Sequence, residues 1–551
     1  LALIGIIVWV VRQKQNDSAD YFLGGRDATW LAIGASIFAS NIGSEHLIGL
    51  AGAGASSGMA MAHWEIQGWM ILILGWVFVP FYSRSMVYTM PEFLERRYNP
   101  QSRTILSVIS LVSYVLTKVA VTVYAGGLVF QQVFGIKELW GIDFFWIAAI
   151  GLVVLTALYT IFGGMKSVLY TSVLQTPILL LGSLIILVLG FKELGGWDEM
   201  MRVCGAVTVN DYGDTMTNLI RSNDDANFPW LGALIGSAII GFWYWCTDQF
   251  IVQRVLSGKN EKEARRGTIF GAYLKLLPVF LFLIPGMIAF ALHQKYIGAG
   301  GEGFLPMLAN GTANADAAFP TLVAKLLPAG VKGLVVCGIL AALMSSLASL
   351  FNSSAMLFTI DFYKRFRPET PEKKLVGIGQ IATVVIVILG ILWIPIMRSV
   401  GDVLYTYLQD VQSVLAPGIA AAFLLGICWK RTSAQGGMWG LIAGMVIGLT
   451  RLGAKVYYSN AGEVADSTFK YLFYDMNWLF FCGWMFLFCI IVVIVVSLAT
   501  EAPTAEKIQG LVFGTATKEQ KAATRASWDH WDIIHTAIIL AITAAFYWYF
   551  W

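Results

Sequence analysis

The sequence predicts an all-α membrane protein that crosses the bilayer about fourteen times. Of its 551 residues, 57% are hydrophobic and 13% are charged, whereas soluble globular proteins have about 25% charged residues. Many apolar runs reach the roughly 20 residues that a helix needs to cross the hydrocarbon core. These unbroken runs exclude an outer-membrane barrel, whose strands alternate with a period of two. The composition also excludes a cytosolic enzyme, a disordered protein and a disulfide scaffold.

The predicted spans follow one another along almost the whole chain. They lie near residues 1–11, 29–57, 61–83, 104–133, 139–161, 168–191, 229–253, 268–292, 329–360, 375–397, 403–427, 433–454, 473–499 and 531–551. The first run is too short to span a bilayer. We interpret it as the end of a peripheral transmembrane helix rather than a signal peptide, because no cleavage site follows it.

Charge patterning predicts the orientation and argues against one class of partner. Lys and Arg collect in cytoplasmic loops. If the loop after the first span is inside, the inside loops hold most of the 37 basic residues. Both termini then face the outer side of a plasma or inner membrane, which requires an even number of spans. The net charge of +3 is too small to suggest a nucleic-acid partner.

Two predicted spans are interrupted by polar residues and glycine, at residues 38–46 and 241–249. A pair of interrupted spans in corresponding positions of two halves is typical of an inverted-repeat transporter. Unwound backbone at membrane depth needs a ligand, water or protein to satisfy its amides and carbonyls. The alternative for each interruption is a glycine kink in a structural helix.

Ionisable residues also fall inside the predicted spans. They are Glu45, His46, Glu65, Lys118, Asp248 and Lys275. Each costs about 3 kcal/mol at a helix centre and therefore needs a partner or a wet cavity. We expect Glu65 and Lys275 to face one cavity, with a structural ion pair as the alternative. We expect Asp248 to pair with Arg254, and Lys118 to snorkel or pair locally.

A cluster of small polar residues in a later span could bind a cation. Ala342, Ser345 and Ser346 stand at i, i+3 and i+4 and therefore share one helix face. A carbonyl and two hydroxyls form a neutral oxygen cluster of the kind that a small hard cation prefers. The alternative is that the serines bond back to carbonyls of their own helix.

Six motifs stand in order along the chain: YFLGGR (21–26), GASIFASNIGS (34–44), YTMPEF (88–93), YTIFGGM (159–165), YWCTDQ (244–249) and SSLAS (345–349). Together they resemble the sodium/solute symporter family, and within it the sodium/glucose cotransporter branch. The resemblance implies a five-plus-five inverted repeat like that of the bacterial leucine transporter. The expected divisions are a peripheral helix end at 1–13, a first repeat at 29–191, a second at 229–427 and peripheral helices at 433–551.

The resemblance also implies a substrate site and a sodium site. Its implied sugar ligands are Asn41, His46, Glu65, Lys275, Gln409 and Tyr244, with the aromatic gate positions Trp64, Trp245 and Tyr405. Its implied sodium ligands are the carbonyls of Ala39, Ile42 and Ala342 and the hydroxyls of Ser345 and Ser346. Sodium would be the coupling ion, and no organic cofactor is expected.

The expected function is sodium-coupled symport of a monosaccharide, glucose or galactose, by alternating access. The pair Glu45-His46 is similar to that of the inositol carriers in the same branch, so myo-inositol is the alternative substrate. Ser172 follows Tyr170-Thr171 where carriers that couple two sodium ions have aspartate, so we expect one sodium per substrate.

Three further expectations complete the sequence analysis. Gly68 and Gly241 replace polar residues of some relatives and are expected to widen the pocket or admit water. An uncoupled facilitator or a sensor is a further alternative function. An enzyme is not expected, because His46 has no visible nucleophile partner and no phosphate loop occurs.

Overall fold

The computed structural model describes residues 17–43, 45–308, 311–398, 404–460 and 465–551. Within these ranges, ten helices are long and apolar enough to cross a membrane. They are Glu45–Ser85, Phe144–Leu194, Trp230–Thr247, Glu261–Gly298, Ala329–Phe366, Glu372–Leu392, Gln409–Cys428, Ala434–Tyr458, Trp478–Ala499 and His530–Tyr549. The shorter apolar helices Trp30–Asn41 and Ala120–Gln131 add to them. The predicted helix end at 1–13 lies outside the described residues, and the count of fourteen stays a prediction.

Shorter helices connect the long ones. They are Ser18–Leu23, Met90–Arg97, Pro100–Ser113, Trp197–Gly205, Gln249–Leu256, Ala318–Leu326, Lys364–Phe366, Thr468–Lys470, Ala505–Ile508 and Lys518–Ala526. One two-stranded antiparallel hairpin, Glu138–Leu139 with Ile142–Asp143, precedes the helix Phe144–Leu194. The helix Leu404–Cys428 contains Tyr405, whose side chain lies outside the described part of the chain.

The first interrupted span is a broken helix in the structure. The helix Trp30–Asn41 ends at Ile42, whose backbone is extended (φ −80°, ψ 101°). The chain becomes helical again as a π-helical turn, Glu45–Leu50, and continues as Ala51–Ser57. We call Trp30–Asn41 together with Glu45–Ser57 the first broken helix. Its break falls inside the interval predicted from the sequence.

The second interrupted span is also broken, at the last part of its predicted interval. The helix Trp230–Gly241 runs on through the π-helical turn Phe242–Thr247 and stops at the extended Asp248 (φ −77°, ψ 127°). The Asp248 side chain accepts from the Phe250 amide at 3.2 Å and so caps the next helix, Gln249–Leu256. We call Trp230–Leu256 the second broken helix.

Glycines allow close packing around the first broken helix. A Cβ on Gly34 would lie 2.8 Å from the Gly267 carbonyl oxygen, and one on Gly267 would lie 2.6 Å from Ile33. The helix Glu261–Lys275 therefore lies directly against Trp30–Asn41, as small residues permit in membranes. The long helix Phe144–Leu194 has a kink at Gly164, where φ is 53° and a Cβ would lie 2.5 Å from the Tyr21 carbonyl oxygen. Only glycine fits there. It lets the motif at 159–165 pack directly against the motif at 21–26.

Candidate functional site

A cavity opens between the two broken helices in the middle of the apolar core. It has about 60 Å³ of space for water, enough for roughly four to six molecules. Its lining residues are Asn41, Glu45, His46, Trp64, Glu65, Gln67, Lys118, Ile240, Gly241, Tyr244, Trp245, Phe250, Lys275, Ser346, Leu350, Gln409 and Gln412. The six predicted sugar ligands all belong to this set, as do the two gate residues whose side chains are described.

A buried ion pair forms one wall of the cavity. Lys275 Nζ lies 2.6 Å from Glu65 Oε2, and it also donates to Asn41 Oδ1 at 3.2 Å. His46 Nε2 lies 3.2 Å from the same Glu65 oxygen. Glu65 and Lys275 each stand at the end of a helical segment, Ala62–Glu65 and Glu261–Lys275, and their side chains meet there. The expectation that these two residues face one cavity is confirmed.

A second set of polar contacts belongs to the second broken helix. Asn41 Nδ2 donates to the Tyr244 hydroxyl at 3.1 Å. Trp245 Nε1 donates to Gln67 Oε1 at 3.2 Å, and Gln67 Nε2 donates to the Ser237 carbonyl at 2.7 Å. These bonds tie both broken helices to the segment that carries Glu65.

The structure corrects the interpretation of Gly241 and Gly68 as sites that widen the pocket or admit water. A Cβ on Gly241 would lie 2.5 Å from Gln67 Oε1, so the Gln67 side chain already fills the space beside this glycine. A Cβ on Gly68 would lie 2.9 Å from the Ala272 carbonyl oxygen. Gly68 therefore allows two helices to approach each other, and it is absent from the cavity lining.

The predicted partner of Asp248 is also wrong. Asp248 Oδ2 lies 2.6 Å from Lys118 Nζ, and its other oxygen accepts from the Tyr114 hydroxyl. Arg254 instead donates to the Phe250 carbonyl and, at 3.5 Å, to Ser353 Oγ. The expected local pairing of Lys118 is confirmed, with Asp248 as the partner.

Several polar atoms at the cavity have no hydrogen-bond partner among the described residues. They are Glu45 Oε2, His46 Nδ1, Trp64 Nε1 and Gln409 Oε1. Buried polar atoms are normally hydrogen-bonded, because an unmade bond costs about 1–3 kcal/mol. The Trp64 ring itself stacks on Trp478, with 5.5 Å between ring centroids. A polar ligand in the cavity could supply the hydrogen bonds that these atoms lack.

The predicted cation ligands lie where the first broken helix meets the helix Ala329–Met356. Ser346 Oγ donates to the Ser40 carbonyl at 3.0 Å and the Ile42 carbonyl at 3.3 Å. Ser345 Oγ lies 3.2 Å from Ser172 Oγ. Ala39 and Ala342 are buried in the same region. These groups are neutral carbonyl and hydroxyl oxygens, which suit a small hard cation, and Ser346 also lines the cavity.

Sequence reasoning assigned no site role to several lining residues, chiefly Gln67, Lys118, Phe250 and Gln412. Lys118 carried a signal, because a lysine inside a membrane span needs a partner. Gln67 carried a weaker one, since it stands two residues after Glu65 in an otherwise apolar span. The aromatic Phe250 could not be distinguished from ordinary core packing.

Comparison with known proteins places these features in a family. Residues 21–444 match the model of the "Sodium:solute symporter family". The chain is 36% identical to the human "Sodium/myo-inositol cotransporter 2" over 529 residues, which cover 94% of this chain and 77% of that protein. It is 37% identical to the dog "Sodium/myo-inositol cotransporter" over 536 residues, covering 93% and 74% respectively.

Two solved structures resemble the fold. One is the substrate-bound outward-open state of a Na+-coupled sialic acid symporter, with a TM-score of 0.72 and 22% identity, covering 91% of this chain and 96% of that one. The other is MhsT in complex with L-phenylalanine, with a TM-score of 0.50 and 12% identity, covering 86% and 99%. At these identities the similarity concerns the fold alone.

Proposed function

The chain belongs to the sodium:solute symporter family, and from that premise we propose that it takes up a cyclic polyol, myo-inositol, by sodium-coupled symport. It is a multi-pass membrane transporter rather than an enzyme, and sodium is its coupling ion. Glucose or galactose was the first expectation from the sequence, and myo-inositol, its alternative, replaces it here. Hexose transport remains the second candidate, because the ligand set implied by the sugar carriers is complete in this chain.

The observation that carries the proposal is the unpaired oxygen of Glu45 beside the cavity. The unpaired oxygens of Glu45 and Gln409 can each accept a hydrogen bond. A cyclitol with a hydroxyl on every ring carbon offers a donor at each position. The ring oxygen of a hexopyranose offers none, and it would leave an acceptor facing an acceptor. A cyclitol can therefore donate a hydroxyl to Glu45 in any ring orientation, whereas a hexopyranose cannot do so when its ring oxygen faces this residue.

The names of the relatives support the same substrate class. The human and dog proteins, at 36% and 37% identity over most of their length, are named as sodium/myo-inositol cotransporters.

In the proposed cycle, the side chains of this chain bind and enclose the ring. Glu65 and Lys275 act as one hydrogen-bonding unit, since the carboxylate accepts from a hydroxyl and the ammonium donates to its neighbour. Asn41, His46 and Gln409 complete the polar contacts. Tyr244 covers the apolar C–H face and closes the inner side, while Trp64, Trp245 and Tyr405 gate the cavity.

The proposed sodium site consists of the Ala39, Ile42 and Ala342 carbonyls and the Ser345 and Ser346 hydroxyls. A bound sodium ion would supply the positive charge that holds these oxygens together. Ser346 donates to the Ile42 carbonyl at 3.3 Å, so two of the proposed ligand oxygens already lie next to each other. Ser172 contributes no carboxylate, which supports one sodium per substrate.

We further propose the repeat architecture: residues 29–191 and 229–427 as inverted repeats, 433–551 as peripheral helices, and both termini on the outer side of a plasma or inner membrane. The breaks at Ile42 and at Asp248 support it, because each lies in the first helix of its proposed repeat.

The proposal is tested by uptake of radiolabelled myo-inositol into proteoliposomes, with and without an inward sodium gradient and with glucose and galactose as competitors. We expect sodium-dependent accumulation that glucose inhibits weakly. Stronger inhibition by glucose or galactose would make the hexose the substrate. Equilibration without sodium dependence would leave a facilitator or sensor. Parallel measurement of the reversal potential gives the number of sodium ions per substrate, expected to be one.

A further inference from the structure

Lys118 is a buried lysine at the cavity that the proposed transport cycle does not use. It lies in the π-helical turn Tyr114–Val119, and only 4% of its surface is exposed. Its ammonium group lies 2.6 Å from Asp248 Oδ2, at the break of the second broken helix. The other oxygen of Asp248 accepts from the Tyr114 hydroxyl, which in turn accepts from the Phe250 amide at 3.0 Å. Asp248 is therefore held from both sides.

Four aromatic rings surround the same ammonium group. Its distances to the ring centroids are 4.7 Å for Phe250, 4.8 Å for Tyr244, 4.9 Å for Tyr114 and 5.4 Å for Trp243. Each lies within the approximately 6 Å range of cation–π attraction. Three of these rings and Asp248 belong to the second broken helix, whereas Lys118 belongs to another helix. One side chain thus joins the two helices by an ion pair and by ring contacts.

We propose that Lys118 is a positioning residue that holds Tyr244 in place beneath the cavity and keeps the second broken helix closed. This inference rests on the proposed function, in which Tyr244 closes the inner side. Tyr244 is fixed at two points: Asn41 Nδ2 donates to its hydroxyl at 3.1 Å, and the Lys118 ammonium lies 4.8 Å from its ring centroid. For Tyr244 to leave this position, the second broken helix must move away from Lys118 or the side chain must rotate out of the ring cluster.

Space-filling alone does not explain a lysine at this position. Methionine would fill a similar volume without the desolvation cost of a buried charge. The charge is compensated only while Asp248 and the rings surround it. The ion pair and the ring contacts of Lys118 therefore stabilise the closed state of the second broken helix. The same contacts must break when this helix opens, so they shift the equilibrium between the two states.

The chain contains its own reporter for the test. Cys246 lies between Tyr244 and Asp248 on the second broken helix and is fully buried. The two exposed cysteines, Cys337 and Cys428, are replaced by serine to give the background. In proteoliposomes of this background, a membrane-permeant maleimide is added and the rate of modification at Cys246 is followed by mass spectrometry. Uptake of myo-inositol gives KM and the maximal rate in parallel.

In K118M we expect Cys246 to be modified about tenfold faster, because the ion pair and the ring contacts are lost together. We also expect KM to rise more than the maximal rate falls, since the closed state that retains substrate is depopulated. K118R keeps the charge and is expected to stay near the parent rate. The control is K325M: Lys325 also lies 4.8 Å from a ring centroid, that of Phe304, but at a separate surface pocket.

An unchanged Cys246 rate in K118M would overturn the proposal, as would a K118R protein that reacts as fast as K118M. If K118M does not fold, K118M/D248N removes both charges and leaves no unpaired carboxylate. Faster modification in that double variant supports the proposal, and the parent rate overturns it. The cysteine measurement needs no substrate, so it distinguishes failure of this inference from failure of the polyol assignment.

Discussion

Lys275 and Glu65 meet inside the apolar core, with 2.6 Å between Nζ and Oε2 and side-chain exposures of only 4% and 2%. Neither charge could remain there alone, because removing one partner of a buried pair leaves the other uncompensated. Both groups also make hydrogen bonds outside the pair: the ammonium of Lys275 with Asn41, and the carboxylate of Glu65 with His46. In the proposed cycle, the substrate shares this ion pair.

The first prediction separates the structural and transport roles of this pair. E65Q and K275M should each lower the free energy of unfolding by about 3–5 kcal/mol and abolish uptake. The double variant E65Q/K275M should recover much of the stability, since no lone charge remains, but no uptake. Thermal unfolding in detergent and proteoliposome uptake measure the two effects. E199Q, in the exposed pair Arg202–Glu199, is the control and should change neither. Uptake by the double variant would contradict the assigned role.

The second prediction concerns substrate choice. E45Q places an amide N–H beside the cavity, which can donate to a ring oxygen. The preference for myo-inositol over glucose, measured as the ratio of their inhibition constants, should fall roughly tenfold or more. The surface variant E193Q should leave the ratio unchanged. An unaltered ratio in E45Q would show that Glu45 does not select between the two substrates.

The third prediction tests the proposed sodium site. S346A removes a hydroxyl that lies between the first broken helix and the helix Ala329–Met356. The sodium concentration for half-maximal uptake should rise about three- to tenfold, the effect of one lost oxygen contact. S107A is the matched control, because Ser107 is also buried and its hydroxyl donates to the Arg103 carbonyl of its own helix, at 2.8 Å. Equal sodium dependence in both variants would argue against the site.

The fourth prediction follows from Gly241. In G241A the new methyl group would lie 2.5 Å from Gln67 Oε1, so the Gln67 amide must shift, which disturbs its bonds to Trp245 and Ser237. The substrate KM should rise about tenfold, since two buried hydrogen bonds are disturbed beside the cavity. G377A, where nothing lies within 4 Å of the added atom, should behave like the parent. An unchanged KM in G241A would mean that Gln67 does not organise this wall.

Much of the site could be predicted from the sequence, but contacts between side chains on different helices could not. Glu65 and Lys275 were expected to face one cavity because an intramembrane charge needs a partner or a wet site, and they both line the cavity and form the ion pair that was the alternative. Asp248 was wrongly expected to pair with Arg254, because only Arg254 is near it in the sequence. Its partner Lys118 lies on another helix, and the sequence does not show that the two helices meet. Gly241 was misread because the sequence shows a missing side chain but not the Gln67 amide that occupies the space.

The fold follows the same division. Residues 38–46 were correctly predicted to interrupt a span, since asparagine, serine and glycine occur together there. The second break lies within the predicted interval 241–249, at Asp248, which caps the following helix, while Gly241 keeps helical angles (φ −63°, ψ −40°). The repeat boundaries and the count of fourteen spans stay predictions.

The last prediction concerns a group outside the membrane spans. Asp316, in the turn Ala315–Ala317, has its carboxylate against Gly52 of the first broken helix, where burial raises the pKa of Asp316 from 3.8 to about 6. The folded state therefore binds its proton more tightly than the unfolded state does. The resulting stabilisation is fully present below pH 3.8 and is lost as the pH rises through about 6.

D316N has no such proton and should show no such loss. Between pH 4.5 and 7.5, the parent should lose about 1–2 kcal/mol of unfolding free energy relative to D316N, less than the full pKa shift implies because the carboxylate is partly exposed. Melting temperatures measured across this range check the difference. D224N, at an exposed loop position, should follow the parent. Parallel pH profiles for the parent and D316N would show that the Asp316 carboxylate is solvated, because only burial separates its pKa in the folded chain from that in the unfolded chain.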